Sequence, residues 1–357
     1  MKKKWIVAAG VLGVLVLAAA GWLWYTMGRP LYEPGMVRAE TGLRSSLDPP
    51  AGEDEAGFWR VEADVRLARF SHGTGEPVLV VHGGPGQPIA APLAALEPLA
   101  AEFEFLYWDQ RGCGRSTRPI ERLPGGSFLS HVRDLDRALG LAVQVADIER
   151  IRRLLGAERI RLLGHSFGGF LAALYAAEFP ERVERMALVA PADLLVLPAE
   201  GGGLLGVIGE RLPSERRDAY DEFVDEYLSF GDLFDHDEAG LMARNSRFAD
   251  WFLEAAGSLS VPSGVRGDPT ATGGWMVQAA YLSMGLRHDY RSALAAVKAP
   301  VLVLHGAADL APIEGSRSYV AALPNARLEV IEGAGHFLLF EADAAVSAVI
   351  GAFLRGE

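Results

Sequence analysis

A single cysteine, Cys113, occurs among the 357 residues of the chain. An intramolecular disulfide and a cysteine-based metal site are therefore both excluded. The sequence also lacks basic stretches interleaved with aromatic residues, and its formal net charge is -12, so nucleic-acid binding is not expected. Half of the residues (50%) are hydrophobic and 22% are charged, a balance typical of a folded protein with a large core. Cysteine usage therefore gives no indication of the redox compartment in which the protein works.

Long uncharged apolar runs are absent except at the N-terminus. Three lysines (residues 2–4) precede an apolar run that extends to about Met27. About 20 such residues can span a bilayer as a helix, and the basic flank favours an N-terminus in the cytoplasm. We therefore expect residues 1–27 to anchor the protein in a membrane, with the rest of the chain in the periplasm or outside the cell. The alternative is a signal peptide cleaved near the small residues 18–20, which would release a secreted protein.

The rest of the chain divides into segments by composition and by the alternation of predicted strands and helices. Residues 28–57 are rich in proline, glycine and charge and are expected to form a linker. From 58 to 190, short apolar strands alternate with helical segments, which predicts a mostly parallel sheet with helices on both faces. Residues 191–298 are mostly amphipathic helix and loop, and the alternation resumes over 299–357. The sequence therefore predicts an α/β core interrupted by an inserted helical cap.

A Gly-x-Ser-x-Gly motif (GHSFG, residues 164–168) lies between a predicted buried strand and a predicted helix. This motif forms a sharp strand-to-helix turn with a strained serine at its apex, where only small neighbours fit. Ser166 is therefore the candidate nucleophile. The N-terminus of the following helix directs backbone N–H groups, that of Phe167 first, at a developing oxyanion.

A serine nucleophile needs a base, and the base needs a carboxylate that orients it. The chain order expected with this motif is serine, acid, histidine. Asp309 follows the predicted strand 301–305, and His336 ends a GAGH sequence after the next strand. Both lie at the carboxyl ends of parallel strands, where the sites of open α/β sheets collect. We therefore predict Ser166, Asp309 and His336 as a catalytic triad that requires no metal and no organic cofactor.

Two glycine-containing loops accompany the triad. The sequence HGGPG (residues 82–86) follows a buried strand, where a loop supplies the second N–H of an oxyanion hole. Gly84 is the favoured donor, with Gly83 as the alternative. The sequence DQRGCGRS (residues 109–116) is interpreted as a rigid loop that braces the site, with Cys113 as a packed small residue.

Together these motifs resemble the proline iminopeptidase branch of the α/β-hydrolases, over about residues 58–357 and least in the cap. HGGPG combined with DQRGCGRS carries most of the resemblance, and the GHSFGG, Asp309 and GAGH segments follow in the same order. The resemblance implies an α/β-hydrolase fold and an aminopeptidase that releases an N-terminal residue, often proline, from a short peptide. Enzymes of this branch hold the free amine of the substrate with carboxylates of the cap.

The cap of this chain departs from that pattern. Residues 255–313 contain no glutamate, so the later cap glutamate of proline-specific members has no counterpart. Glu254 matches the earlier one and is the candidate substrate-binding residue. Further acidic candidates lie in the same region: Asp225, Glu226, Asp232 and Asp235.

The motifs support three hypotheses about function. The first is an aminopeptidase that acts by serine acyl transfer on small peptides. The second is an esterase or lactonase that acts on another small molecule. The third is a catalytically inactive, membrane-tethered binding protein. The motifs leave the substrate and the oligomeric state open.

Overall fold

The computed structural model describes residues 28–52, 55–199, 203–229, 231–257 and 268–357. Within these residues, no helix combines the length and apolar character needed to cross a membrane. The predicted anchor, residues 1–27, lies outside the described residues.

Eight strands form the central sheet, and two short strands form a separate ribbon. In chain order the strands are β1 (Phe58–Glu62), β2 (Val65–Gly73), β3 (Glu76–Val81), β4 (Phe103–Trp108), β5 (Ile160–His165), β6 (Val183–Val189), β7 (Val196–Leu197), β8 (His288–Asp289), β9 (Val301–Gly306) and β10 (Ala326–Ile331). The order across the sheet is β1-β2-β4-β3-β5-β6-β9-β10. Strand β2 runs antiparallel to β1 and β4, and all other neighbours are parallel. The predicted mostly parallel sheet is confirmed.

Nine α-helices lie in the described part of the chain. They are α1 (Phe128–Leu139), α2 (Leu141–Leu154), α3 (Phe167–Glu178), α4 (Gly203–Arg211), α5 (Ser214–Tyr227), α6 (Glu238–Ala255), α7 (Trp275–Met284), α8 (Ile313–Ala322) and α9 (Ala344–Arg355). Between β3 and β4 the chain forms only a 3-10 segment, Ala94–Leu99, because Pro98 lacks an N–H and cannot extend an α-helix. Helix α1 was not predicted, although Ser127 caps its start by accepting a hydrogen bond from the N–H of Ser130.

The sheet is covered on both faces, as β3 illustrates. Its side chains alternate, so Val78 and Val80 belong to one buried cluster while Leu79 and Val81 belong to another. Helices α2 and α3 pack on the second face, whereas α9 and the 3-10 segment pack on the first. The core is thus a three-layer α/β arrangement.

The helical cap is inserted between β6 and β9 and contains α4 to α7. Strands β7 and β8 pair antiparallel where the insertion leaves and rejoins the core. The insertion has an apolar cluster of its own, in which Ile208, Tyr220 and Phe223 are fully buried. The cap is therefore a packed unit that lies after the carboxyl end of β6.

Residues 28–52 are not the free linker that composition predicts. This segment, here called the N-terminal strap, packs on the core and buries Tyr32, Val37 and Leu47 almost completely. The buried carboxylate of Glu178, at the end of α3, accepts hydrogen bonds from the Tyr32 hydroxyl and from backbone N–H groups of the strap. The prolines and glycines of this strap therefore accompany an irregular backbone that is packed against the core.

The start of the strap lies against the cap. The carbonyl oxygen of Gly28 accepts a hydrogen bond from the backbone N–H of Leu286, and the backbone N–H of Leu31 donates to the carbonyl of Ser283. Ser283 lies in the last turn of α7 and Leu286 follows that helix. The strap therefore joins the core to the end of a cap helix.

Candidate active site

Ser166 lies at the turn between β5 and α3, with φ 53° and ψ -122°. A positive φ is uncommon for a residue other than glycine and is retained where the surrounding structure enforces it. The flanking glycines are required by space. A Cβ at Gly164 would lie 2.5 Å from the carbonyl oxygen of Gly168, and a Cβ at Gly168 would lie 2.1 Å from that of Val81. The spacing of the motif therefore follows from how closely β3, β5 and α3 approach one another.

Phe167 is the first residue of α3, where a backbone N–H has no acceptor within the helix. Its side chain is buried in the core and packs 5.8 Å from the ring of Phe170. Only the backbone of Phe167 is therefore available to the site.

The HGGPG loop borders the same cleft as Ser166. Gly83, Gly84 and Pro85 line the cleft. Gly84 has φ 116°, and a Cβ there would lie 2.7 Å from the backbone nitrogen of Gln87. Glycine is therefore needed at the position favoured for the second oxyanion donor.

His82 braces this loop from below. Its Nε2 accepts a hydrogen bond from the backbone N–H of Gln110 (3.0 Å), so Nδ1 carries the proton and donates to the carbonyl of Gly83 (3.0 Å). The side-chain amide of Gln110 also donates to the His82 carbonyl (2.7 Å). Burial lowers the pKa of His82, which keeps the imidazole neutral. The loop is thus tied to the DQRG segment.

Asp309 and His336 form a hydrogen-bonded pair. The Nδ1 atom of His336 lies 2.9 Å from Oδ2 and 3.1 Å from Oδ1 of Asp309, and Oδ1 also accepts the backbone N–H of Ala311 (2.8 Å). Burial alone would raise the pKa of Asp309. The charge and hydrogen bond of His336, together with Ala311, outweigh burial and lower that pKa below its ordinary value. The carboxylate is therefore ionised and fixes the orientation of the imidazole.

The residue before the nucleophile contacts the same histidine. His165 is buried, and its Nε2 atom lies 2.8 Å from the carbonyl oxygen of His336. Burial, followed by the nearby His336, lowers the pKa of His165 to about 3. Its ring also lies 5.7 Å from that of Phe340. Nothing local in the sequence indicates this bond, since the two residues are 171 positions apart in the chain.

Ser166 and His336 face one cleft that is partly open to solvent. Its lining comes from the core and the cap: Gly83, Gly84, Pro85, Gln87, Ile89, His165, Ser166, Leu204, Tyr227, Asn245, Phe248, Ala249, Phe252, Leu253, Thr272, Val277, Tyr281, His336, Phe337 and Phe340. The structure therefore brings Ser166, His336, Asp309, Gly84 and the backbone of Phe167 together at one place. The cap forms much of the remaining wall.

Glu254 is not part of this cleft, which corrects the expectation that it binds substrate. Its carboxylate forms a bidentate ion pair with the Arg216 guanidinium at the surface (2.7 and 2.9 Å). Arg216 in turn lies 4.5 Å over the ring of Trp251. The cleft face of α6 is defined by Asn245, Ala249 and Phe252, and residue 254 projects from another side of the helix. The other acidic candidates are all exposed and lie away from the lining: Asp225, Glu226, Asp232 and Asp235.

The DQRG loop is fixed by a buried charge network. The Arg111 guanidinium is fully buried and pairs with Glu62 and Asp147, each at 2.7 Å. Burial alone would raise the pKa of Glu62, but Arg111 and Arg150 outweigh it and lower that pKa. Removing one partner of such a network leaves an uncompensated buried charge, which is strongly destabilising. The loop is therefore a rigid support.

Cys113 is buried, and its thiol donates a hydrogen bond to the Gln110 carbonyl (3.2 Å). Burial raises the pKa of this thiol well above its ordinary value, which is unlike a reactive cysteine. Among the described residues, no group of three or more His, Cys, Asp or Glu side chains is arranged to hold a metal ion.

Residues 76–343, more than half of the chain, match the family described as the α/β hydrolase fold. The chain belongs to the α/β-hydrolase family.

Within that family the chain is similar to proline iminopeptidases, as its motifs indicate. The proline iminopeptidase of Heyndrickxia coagulans is 26% identical over 297 residues, covering 80% of this chain and 92% of the relative. That of Neisseria gonorrhoeae is 30% identical over 307 residues, covering 77% and 88%.

Solved structures share the fold. The proline iminopeptidase of Mycobacterium smegmatis has 22% identity and a TM-score of 0.53, covering 82% of this chain and 95% of that chain. A thermophilic esterase from Thermogutta terrifontis has 24% identity and a TM-score of 0.53, covering 82% and 93%. The predicted fold class and the proline iminopeptidase-like resemblance are confirmed.

Proposed function

We propose that this protein is a serine hydrolase in which Ser166 is the nucleophile and His336 the general base. Asp309 orients the imidazole of His336 and stabilises its protonated form. The observation that carries the proposal is geometric. A serine held at positive φ at a helix N-terminus shares one cleft with a histidine whose Nδ1 is bonded to a buried, ionised aspartate. Because Nδ1 is occupied, Nε2 is the atom left to exchange a proton with Ser166.

The reaction proceeds in two acyl-transfer steps. The Ser166 Oγ bonds to the substrate carbonyl carbon while its proton passes to His336, and the leaving group departs with that proton. Water then attacks the acyl-enzyme, gives a proton to His336 and releases the acid as Ser166 recovers its hydrogen. Backbone N–H groups of Phe167 and Gly84 stabilise the oxyanion in both steps, with Gly83 as the alternative to Gly84.

Two substrate classes are narrower candidates. An aminopeptidase that releases an N-terminal residue from short peptides is supported by the relatives named proline iminopeptidase. An esterase or lactonase-type hydrolase is supported by the cleft itself, because its cap wall is mostly aromatic and aliphatic. A catalytically inactive binding protein is the remaining alternative, and it predicts no covalent chemistry at Ser166.

Labelling with a fluorophosphonate probe tests the hydrolase proposal. We expect stoichiometric labelling that peptide mapping assigns to Ser166, and its loss in Ser166→Ala. Ser214→Ala, at the exposed start of α5, is the matched control and should label like the unmodified protein. Asp309→Asn should retain the fold and lower kcat by about 10³–10⁴-fold, since the wrong imidazole tautomer is then favoured. Full labelling of Ser166→Ala would refute the assignment.

The location of the enzyme is a separate proposal. Within residues 1–27, the three lysines and the apolar run that follows them favour a membrane-anchored protein with the hydrolase outside the cytoplasm. Full-length protein should then sediment with membranes and resist extraction by salt, whereas a chain starting at residue 28 should not. N-terminal sequencing of the mature protein separates an anchor from a cleaved signal, since cleavage near residues 18–20 would remove most of the run.

A further inference from the structure

The cap side of the cleft is apolar over most of its area. Helix α6 contributes Phe248, Phe252 and Leu253, and α7 contributes Val277. Phe252 lies 5.2 Å from the His336 ring, so this apolar surface reaches the proposed base. A substrate group bound beside Ser166 therefore meets hydrocarbon on the cap side.

Two tyrosines continue this wall without adding charge. The Tyr227 ring stacks on Phe248 (5.5 Å) and meets the Tyr281 ring edge-on (6.2 Å). Burial raises the pKa of both phenols, so both stay neutral. Neutral phenols can hydrogen-bond a ligand, but they cannot neutralise a cation.

The amide and hydroxyl groups of the cleft already have partners. The Asn245 amide donates to the Gly273 carbonyl (2.7 Å), and the Thr272 hydroxyl donates to the Gln87 side-chain carbonyl (3.3 Å). These groups hold the loop before α7 in place. They are therefore poorly placed to capture a charged ligand group.

No carboxylate among the described residues lines the cleft. Glu238, a buried carboxylate of the cap, is engaged by other groups. It pairs with Arg118 and accepts the backbone N–H groups of Gly274 (3.0 Å) and Trp275 (2.7 Å) at the start of α7. Glu238 and Glu254 are thus both paired with arginines, and no described cap carboxylate lines the cleft to receive an ammonium group.

An ammonium group buried without a negative partner is strongly disfavoured, and attraction to aromatic faces offsets only part of that cost. From this we infer that the acyl subsite takes an uncharged, apolar acyl group, so that the substrate is a neutral ester of a hydrophobic carboxylic acid. The inference rests on the proposed serine hydrolase activity and specifies its substrate class.

Matched ester pairs test the inference. Methyl cyclopentanecarboxylate has the ring shape of proline methyl ester without the amine, and methyl 3-phenylpropanoate matches phenylalanine methyl ester. At a pH where the amines are protonated, each rate is divided by that of hydroxide-catalysed hydrolysis to remove intrinsic reactivity. We expect the neutral member of each pair to have at least about 100-fold higher corrected kcat/KM. Equal values, or a preference for the amine-bearing ester, would overturn the inference.

Ala249 offers a matched pair of variants, because it lines the cleft from α6 and is only partly buried. Ala249→Asp introduces a carboxylate, and Ala249→Asn introduces the same shape without charge. The ratio of amine-bearing to neutral ester turnover should rise at least about tenfold in the aspartate variant relative to the asparagine variant. An unchanged ratio would contradict charge as the basis of selection.

Glu200 is the single acidic residue among the cap positions outside the described part of the chain. Glu200→Gln should leave the ester preference unchanged. Selective loss of amine-bearing substrate turnover in this variant would identify an amine site and overturn the inference.

Fluorophosphonate labelling of Ser166 is measured on the same preparations. Protein that labels but does not favour neutral esters refutes only the substrate class. Protein whose labelling does not depend on Ser166 refutes the hydrolase proposal itself.

Discussion

The imidazole of His165 donates a hydrogen bond of 2.8 Å to the main-chain carbonyl of His336. A carbonyl can only accept, so Nε2 of His165 carries the proton. The residue next to the nucleophile therefore fixes the backbone of the proposed base. The turn that carries Ser166 and the loop that carries His336 are 170 residues apart in sequence. This hydrogen bond holds them together where a proton must pass between the two side chains.

His165 is accordingly expected to act as a positioning residue. His165→Leu should lower kcat by about 10–100-fold with a smaller change in KM, because a shift of about 1 Å in the base costs that much. It should also displace the acidic limb of the pH–kcat profile. His165→Gln, whose amide reaches the position of Nε2, should restore most of the activity. Equal losses in both variants, with an unchanged pH profile, would show that His165 only fills space.

The same histidine predicts a pH dependence of stability. Its pKa falls from 6.5 to about 3 on folding, so between these values the unfolded chain binds a proton that the folded protein excludes. The contribution of neutral His165 to the free energy of unfolding is fully present above about pH 6.5 and is lost as the pH falls toward 3. The free energy of unfolding then changes by up to about 1.4 kcal/mol per pH unit. Urea titrations from pH 7.5 to 4.5 should show a shallower decline in His165→Gln. Parallel declines would argue against a neutral His165.

The N-terminal strap should contribute measurably to stability through Glu178. Glu178→Gln turns one acceptor into a donor opposite backbone N–H groups of the strap, so we expect a loss of about 2–4 kcal/mol in the free energy of unfolding. Glu181→Gln is the control, because Glu181 forms an exposed ion pair with Arg38 that is worth at most about 1 kcal/mol. Urea denaturation measures both. Similar small effects would indicate that the strap is not held by Glu178.

Glu254 should be dispensable for catalysis. Its carboxylate is paired with Arg216 at the surface, so Glu254→Gln should change kcat/KM by less than about twofold and stability by less than about 1 kcal/mol. Phe252→Ala removes a ring from the cleft and should raise KM for a hydrophobic ester by about tenfold or more. A tenfold loss of activity in Glu254→Gln would reinstate this residue as a ligand of the substrate.

The strands were predictable because buried parallel strands are short, apolar and bounded by polar turns. Phe103–Trp108 and Val183–Val189, for example, are short and mostly apolar stretches of sequence that form strands in the structure. The contact between Asp309 and His336 followed from chain order and from the common edge at which parallel strands end. In each case the information is local, or is set by topology alone.

The expectations that were wrong, those for Glu254 and for the N-terminal strap, depend on packing between residues that are far apart in the sequence. Whether residue 254 faces the cleft is decided by how α6 is rotated against the core. The advance of two residues from Phe252 to Glu254 turns the side-chain direction through more than half a turn of the helix. The strap is organised by one buried carboxylate about 140 residues further along the chain. Composition reports neither relationship.

Gly28 has a consequence for how the enzyme searches for substrate. The carbonyl oxygen of this residue accepts a hydrogen bond from the backbone N–H of Leu286 just after α7, so the described chain is packed against the cap from its first residue. If residues 1–27 anchor the protein as proposed, the described chain adds no free spacer of its own between that anchor and the cap. The catalyst would then diffuse in two dimensions and favour ester substrates that partition into the same surface.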